Sequence, residues 1–385
     1  MPRSMSCLVL LLLLVGCAHQ PEPPTSLDSR IDQLTEGAYR PPRLPVQGWQ
    51  AEWKVDDEVL EVAWLAPAKG PANGTALPVI LYLPGLGDGS GAGEPWRRAW
   101  AQAGYAVLSI QFKRHGRGIY TSKDAQAGIF QGIARRAYGD ADLQRRVTVL
   151  DRALQEARRR GLAGDADFAR VDWQRQAVAG FDLGSQTACA LLTGQHGWSP
   201  RVAVLLSPYA PKPEVAKRIS IPVLSATGLA DEDPFSLVTP AQRHQQFWEN
   251  VTAGDSYQML LQHMTHSQFG GDFGMAQRAA RMPEGSKPSG PPGGGAAGGS
   301  GGPGASGGPG MAGGPGGRGG ERPARYGRSV ENPVDPREAA ALLVVSQAFL
   351  DTHLQASHEA RHWLEWEANR WLSPDARLEA KNRQP

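Results

Sequence analysis

Apolar residues along this chain follow two periods. Short, nearly unbroken apolar runs at 59–65, 79–83, 105–110, 177–181, 202–206, 223–226 and 258–261 are separated by stretches in which apolar residues recur every three or four positions. The runs lack clean in-and-out alternation, the mark of strands buried on both faces. Among the stretches, 95–103 stops at Gly104, a residue suited to the left-handed position that ends a helix. Leu143, Val147, Leu150 and Leu154 share a helical face, and 183–193 follows the 177–181 strand directly. Thr239-Pro240 opens a helix running towards Val251. Asp335-Pro336-Arg337-Glu338 opens another, with Glu338 placed as in a capping box and Leu342, Val345, Phe349 and Leu354 as the buried stripe. A final amphipathic stretch holds Trp363, Trp366 and Trp371. Buried strands alternating with amphipathic helices predict an α/β domain, its mostly parallel sheet covered on both faces.

Three segments break this rhythm. Arg3 and the apolar run 8–15 read as a signal-peptide core, since the run is too short to span a bilayer. The run closes in Leu14-Val15-Gly16-Cys17, which resembles the bacterial lipobox; an ordinary secretory signal with a chance cysteine is the plainer alternative. The resemblance implies loss of residues 1–16 and acylation of Cys17, palmitate included. That gives a membrane anchor without a transmembrane helix. Ala18 after the cysteine implies the outer membrane of a Gram-negative envelope, with the protein facing the periplasm or the cell surface. Residues 17–46 are rich in proline and polar side chains and read as a tether. Residues 280–330 are dominated by Gly, Pro, Ala and Ser without a collagen-like period. Such a stretch buries too little apolar surface to order itself, so it is expected to be a disordered insert. The folded domain is thus expected over 47–372, with a tail at 373–385.

Composition narrows the class. A formal net charge of +2, with both signs interspersed, carries no nucleic-acid footprint. With Cys7 removed and Cys17 acylated, Cys189 has no disulfide partner and is expected in core packing. No cluster of His, Cys and carboxylates has metal-ligand spacing, and no cofactor is expected. His115 is expected on an exposed loop after its strand.

The chemistry concentrates in Gly180-Phe181-Asp182-Leu183-Gly184, where a buried strand turns straight into a helix. This is the pattern of a nucleophile elbow, G-x-S-x-G, with aspartate at its centre. Glycines are needed because the turn is tight and packed on both sides. The turn lifts the central side chain above the positive end of the following helix. Ser185 lies beyond the second elbow glycine, inside the helix's first turn, and cannot replace the nucleophile.

On these residues the chain resembles the α/β-hydrolase superfamily, and further motifs are similar to its dienelactone-hydrolase and platelet-activating-factor acetylhydrolase-like branch. Leu77-Pro78 and Pro84-Gly85-Leu86-Gly87 resemble the oxyanion-loop strand, with Pro84 where the branch usually has His. Ile221-Pro222-Val223-Leu224 with Thr227-Gly228-Leu229-Ala230-Asp231 resembles the acid-bearing strand end. His266-Ser267-Gln268-Phe269-Gly270-Gly271 resembles the segment that bears the histidine, and the helix with Ala348-Phe349-Leu350 resembles the last helix. The likeness covers most of 50–372 in chain order. It implies an α/β-hydrolase fold with Asp182 as nucleophile, His266 as base and Asp231 as orienting acid. The backbone N–H groups of Leu86 and Leu183 would form the oxyanion hole. Read without the resemblance, Asp233 competes with Asp231 and His263 with His266.

An aspartate nucleophile needs no base to activate it and is suited to an sp³ carbon bearing a leaving group. Its product would be an alkyl ester on Asp182, hydrolysed by water that His266 activates. That triad resembles those of haloalkane dehalogenases and epoxide hydrolases. Their helical cap, however, has no room between Ser207 and Ile221, so no separate cap domain is expected. The sequence therefore points to a lipid-anchored hydrolase of small ester or related alkyl substrates. Two other readings are an inactive pseudoenzyme, its pocket kept for a ligand or envelope partner, and a scaffold that makes contacts through the Gly/Pro-rich insert.

Overall fold

The computed structural model describes residues 33–70, 74–194, 197–209, 211–273 and 334–381. The signal segment, Cys17, most of the expected tether and the Gly/Pro-rich insert lie outside the described residues. Nine strands form one sheet: β1 (Val46–Val55), β2 (Glu58–Pro67), β3 (Leu77–Leu83), β4 (Ala106–Phe112), β5 (Val171–Asp182), β6 (Val202–Pro208), β7 (Val223–Gly228), β8 (Ser256–Leu261) and β9 (Ala376–Lys381), in the order β1-β2-β4-β3-β5-β6-β7-β8-β9. The strands from β4 to β8 along that order are parallel, whereas β1, β2 and β9 join antiparallel at the two edges.

The unbroken apolar runs have the expected cause. Every residue of β3, β4, β6 and β7 is buried, because both faces of the sheet are covered. Alternate side chains leave a strand in opposite directions. Ile80 and Tyr82 therefore join one core with Trp96 and Trp100 of helix α1 (Glu94–Gln102). Val79, Leu81 and Leu83 join the other with Leu150 and Leu154 of α2 (Asp140–Leu162) and Leu191 of α3 (Leu183–Thr193). Two further helices matter below: α4 (His266–Phe269) and α5 (Pro336–Leu354), the latter packing on the α1 side.

From β3 the chain steps to β4 on one side and then crosses to β5 on the other. Ligands of open α/β sheets bind beyond the carboxyl ends of the strands at such a switch point. With the turn after β5 running directly into α3, this is the α/β-hydrolase fold. No separate cap domain stands over the sheet among the described residues. Instead, residues 113–139 between β4 and α2 wind into short helical turns, with helices Lys123–Gln126 and Phe130–Ala137. They form a third apolar cluster with Leu86, Leu183 and Phe235 at this end of the sheet.

Several expectations are corrected. The chain is still part of the sheet beyond residue 372, since β9 pairs with β8 from Ala376 to Lys381. Only Ala376 and Leu378 of β9 are buried, too few apolar positions to register as a run. The tether's last part belongs to the domain as well. Tyr39 is buried with its Oη donating to Asp351 Oδ2 at 2.7 Å, and the Leu44 N–H reaches the Gln102 carbonyl at 2.8 Å. The helix expected after Thr239 is wound as a π-helix over Gln242–Trp248. His115 is buried, not exposed, with Nε2 at 2.6 Å from the Asp142 carboxylate. Among the described residues no helix is long and apolar enough to cross a membrane.

Asp351 binds both ends of the domain, because the Tyr105 hydroxyl and the Gln355 amide donate to it beside Tyr39. Tyr39→Phe leaves that buried carboxylate one donor short. It should lower the unfolding free energy by about 1–3 kcal/mol, read as a lower urea midpoint at unchanged slope.

Candidate active site

Backbone contact fixes the elbow. A Cβ on Gly184 would lie 1.9 Å from the Leu83 carbonyl oxygen, and one on Gly180 would lie 2.6 Å from the Gly184 backbone. Only glycine permits strand β5 and helix α3 to meet so closely. Between them Asp182 is held at φ 51°, ψ −112°, a conformation that costs on the order of 1–3 kcal/mol for a residue with a side chain. The carboxylate is thereby set at the switch point with only 4% of its surface exposed.

Three groups surround it. The Leu86 N–H approaches Oδ2 at 3.4 Å, the Tyr138 phenol donates to Oδ1 at 2.5 Å, and His266 Nε2 stands 3.8 Å from Oδ1, beyond hydrogen-bond length. Leu183 opens α3, so its N–H belongs to the first helical turn and has no intrahelical acceptor. The structure thus gathers Asp182, His266, Asp231 and the backbone of Leu86 and Leu183 at one end of the sheet. Cys17 lies outside the described residues.

His266 stands at the first position of α4, which Thr265 and Gln268 close as a reciprocal capping box. Its ring packs on Phe181 with centroids 4.9 Å apart, and Nδ1 meets Asp231 Oδ1 at 2.9 Å. Asp231 is fully buried and densely bound. Ser207 Oγ donates to Oδ1 at 2.8 Å and Thr227 Oγ1 to Oδ2 at 2.7 Å. Arg243 Nη1 reaches Oδ1 at 2.9 Å and the Asp231 carbonyl at 2.6 Å. Burial works to raise the Asp231 carboxyl, but the hydrogen bond with His266 and the Arg243 charge outweigh it and hold the group below the usual aspartate range. Asp233, the competing acid, accepts the N–H groups of Phe235, Leu237 and Val238 and so closes a turn. His263 is largely exposed and sits against Glu338. Ser185 is wholly buried, its hydroxyl spent on the Asp182 carbonyl and the Tyr209 N–H.

Tyr138, Arg243 and Asp88 escaped the sequence reading. Tyr138 is stacked on Tyr209 at 4.7 Å. Its position is fixed from behind by buried Arg146, which binds the Ala137 carbonyl and Gln186 Oε1, while Gln186 Nε2 holds the Tyr138 carbonyl. Burial and the charge of Asp182 push the phenol well above its ordinary pKa, so it remains a donor. Asp88, half-buried on the loop after β3, is pushed up to about 7 by burial and by the Asp182 charge. Tyr138 lies 44 residues from Asp182 and Arg243 12 from Asp231, so no local motif marks either. Among the described residues no group of three or more His, Cys, Asp or Glu could hold a metal ion.

No protein-family model and no curated protein matches the sequence. Among solved structures the chain is similar to a cold-adapted esterase from an Arctic intertidal metagenomic library. Its PEG-bound form aligns at 15% identity and TM-score 0.42, covering 60% of this chain and 89% of that one. The native form of the same esterase aligns at 15% identity and TM-score 0.40, covering 60% and 88%. So distant a likeness assigns no residue a role.

Asp88 offers a pH test. Its folded-state pKa lies above its ordinary value of 3.8, so the folded protein binds the extra proton and loses stability as pH rises through that interval. Asp88→Asn removes this penalty. Relative to the unaltered protein, the variant should gain on the order of 4 kcal/mol between pH 4 and about 7, then level off. Denaturant titrations across that range measure the difference.

Proposed function

We propose that the protein is a hydrolase of small, uncharged ester or related alkyl substrates, acting through Asp182, His266 and Asp231 by way of an alkyl ester on Asp182. The observation that carries this is the disposition of the Asp182 carboxylate, with Oδ2 turned to the Leu86 N–H and Oδ1 towards His266 Nε2 and Tyr138. The two oxygens divide the work. Oδ1 attacks an sp³ carbon as the leaving group departs with the bonding electrons. Oδ2 becomes the carbonyl oxygen of the ester, on the side of the Leu86 N–H, with the first-turn N–H of Leu183 as the second proposed donor. His266 then takes a proton from water as the water adds to Asp182 Cγ. The oxyanion formed at Oδ2 is held by those N–H groups, and the alcohol leaves with the proton. Asp231 keeps the imidazole oriented through Nδ1. Attack by the same carboxylate on a carboxylic ester's carbonyl would give a high-energy anhydride, so carbon–halogen or strained carbon–oxygen bonds fit the nucleophile better.

Tyr138 suits the first step. In the resting site its proton is held by the Asp182 charge. Alkylation removes that charge, so the phenol becomes a better donor as negative charge grows on the leaving group. An uncharged substrate suits the surroundings, since Leu86, Leu183, Ile119 and Phe235 form an apolar cluster at this end of the sheet. The Cys17 reading would hold this activity at an envelope membrane. A second reading, a pocket that binds a ligand without turnover, draws on the near-complete burial of Asp182 and the contacts on both its oxygens.

Intact-mass spectrometry after incubation with epoxide, alkyl-halide and ester probes decides between these. His266→Ala should accumulate an adduct that maps to Asp182, whereas the unaltered protein turns the same probe over. Tyr138→Phe should form that adduct about a hundredfold more slowly. Saturable probe binding with neither adduct nor turnover would sink the hydrolase reading and support the ligand-binding one.

A further inference from the structure

We infer that Glu338 is the positioning residue for His266, a buried carboxylate clasping the loop on which that histidine is carried. The inference rests on the proposed role of His266 as base. Glu338 is the third residue of α5, where a glutamate ordinarily reaches back to cap its own helix. Here Asp335 alone takes that duty, accepting the Arg337 N–H at 2.8 Å. Glu338 is instead directed across to the end of β8, with none of its surface exposed. Its Oε1 accepts the N–H of Gln262 at 2.9 Å and the N–H of His263 at 2.8 Å, and lies 3.2 Å from His263 Nδ1.

Those two N–H groups fall where the ladder runs out. Leu261 is the last residue of β8 paired with β7 and with β9, opposite Gly228 and Ala376. The next two residues have left the ladder, and one carboxylate oxygen takes the place of a strand. Met264, buried, and Thr265 then lead straight to His266. The loop is fixed at three successive points. Glu338 holds 262–263, the capping box holds 265–268, and Trp96 Nε1 binds the Phe269 carbonyl at 2.8 Å.

The clasp is costly in itself. Burial raises the Glu338 carboxyl above its ordinary pKa, and among the described residues Oε2 is buried without a hydrogen-bond partner. Charge-assisted bonds to two adjacent N–H groups are the compensation, and what they fix is the take-off point of the histidine. A shift of about 1 Å there changes the separation between His266 Nε2 and Asp182, the kind of misplacement worth up to about a hundredfold in rate.

The test compares Glu338→Leu with Glu338→Gln, which keeps an acceptor oxygen, in the full domain. Two readouts are used: the ¹⁵N-histidine NMR signals of His266, assigned by their loss in His266→Ala, and the two rates of an epoxide probe at Asp182. Glu338→Leu should form the Asp182 adduct at the unaltered rate, since that step needs no base, and should release it about tenfold to a hundredfold more slowly. Its His266 signals should shift and broaden. Glu338→Gln should restore both. If Glu338→Leu does not fold, Glu338→Asp, with its oxygens withdrawn by one methylene, should show the same defect in milder form. A folded Leu or Asp variant with unchanged His266 signals and release would overturn the assignment, as would a Gln variant as impaired as Leu. If the unaltered protein does not turn the probe over and His266→Ala forms no adduct, the proposed chemistry fails, while the NMR comparison still decides the clasp.

Discussion

The site depends on one steric constraint, the approach of α3 to the ends of β3 and β5. A single added methyl carbon at Gly184 would fall within 1.9 Å of the Leu83 carbonyl oxygen. Without it the backbone packs, and the turn between strand and helix has only one way to go. Asp182 must then accept a left-handed backbone, and its carboxylate is delivered to the switch point of the sheet. Leu86 follows β3, Ser207 lies next to the last residue of β6, Asp231 follows β7 and His266 follows β8. The parallel sheet brings these ends side by side, so one close contact in the middle sets the reference for every other group.

Charge is the second constraint. Asp182 and Asp231 are both buried, and His266 stands between them. Two carboxylates removed from water are costly unless each is paired or well hydrogen-bonded. Asp231 is matched by the buried Arg243 guanidinium and two hydroxyl donors. Among the described residues Asp182 has neutral donors, Tyr138 and the Leu86 N–H, beside the histidine. The two acids are therefore unlike in environment: one is paired with a buried cation, the other faces neutral donors beside the histidine. This asymmetry sets apart two aspartates that share one histidine.

Much of the architecture was legible because its causes are local. Buried strands announce themselves as continuous apolar runs, and the elbow announces itself through Gly180 and Gly184. The edges were harder to read. β9 offers only Ala376 and Leu378 to the core, and Tyr39 is a single aromatic in a proline-rich stretch whose partner, Asp351, lies 312 residues away. Glu338 shows how a correct local pattern can mislead. Its spacing from Asp335 fits a capping box, yet its carboxylate serves backbone more than seventy residues earlier in the chain.

By itself the sequence determined the α/β layering, the position of the elbow and the chain order of Asp182, Asp231 and His266. Hydrophobic period and glycine sterics act over a few residues and are written in neighbouring letters. Only the tertiary structure decided which of Asp231 and Asp233 meets the histidine, that Tyr138 caps the carboxylate, that Arg243 balances Asp231, and that Glu338 holds the loop of His266. Those outcomes depend on which polar groups become buried together. A buried carboxylate takes whatever donor the fold brings within about 3 Å, however far along the chain that donor lies.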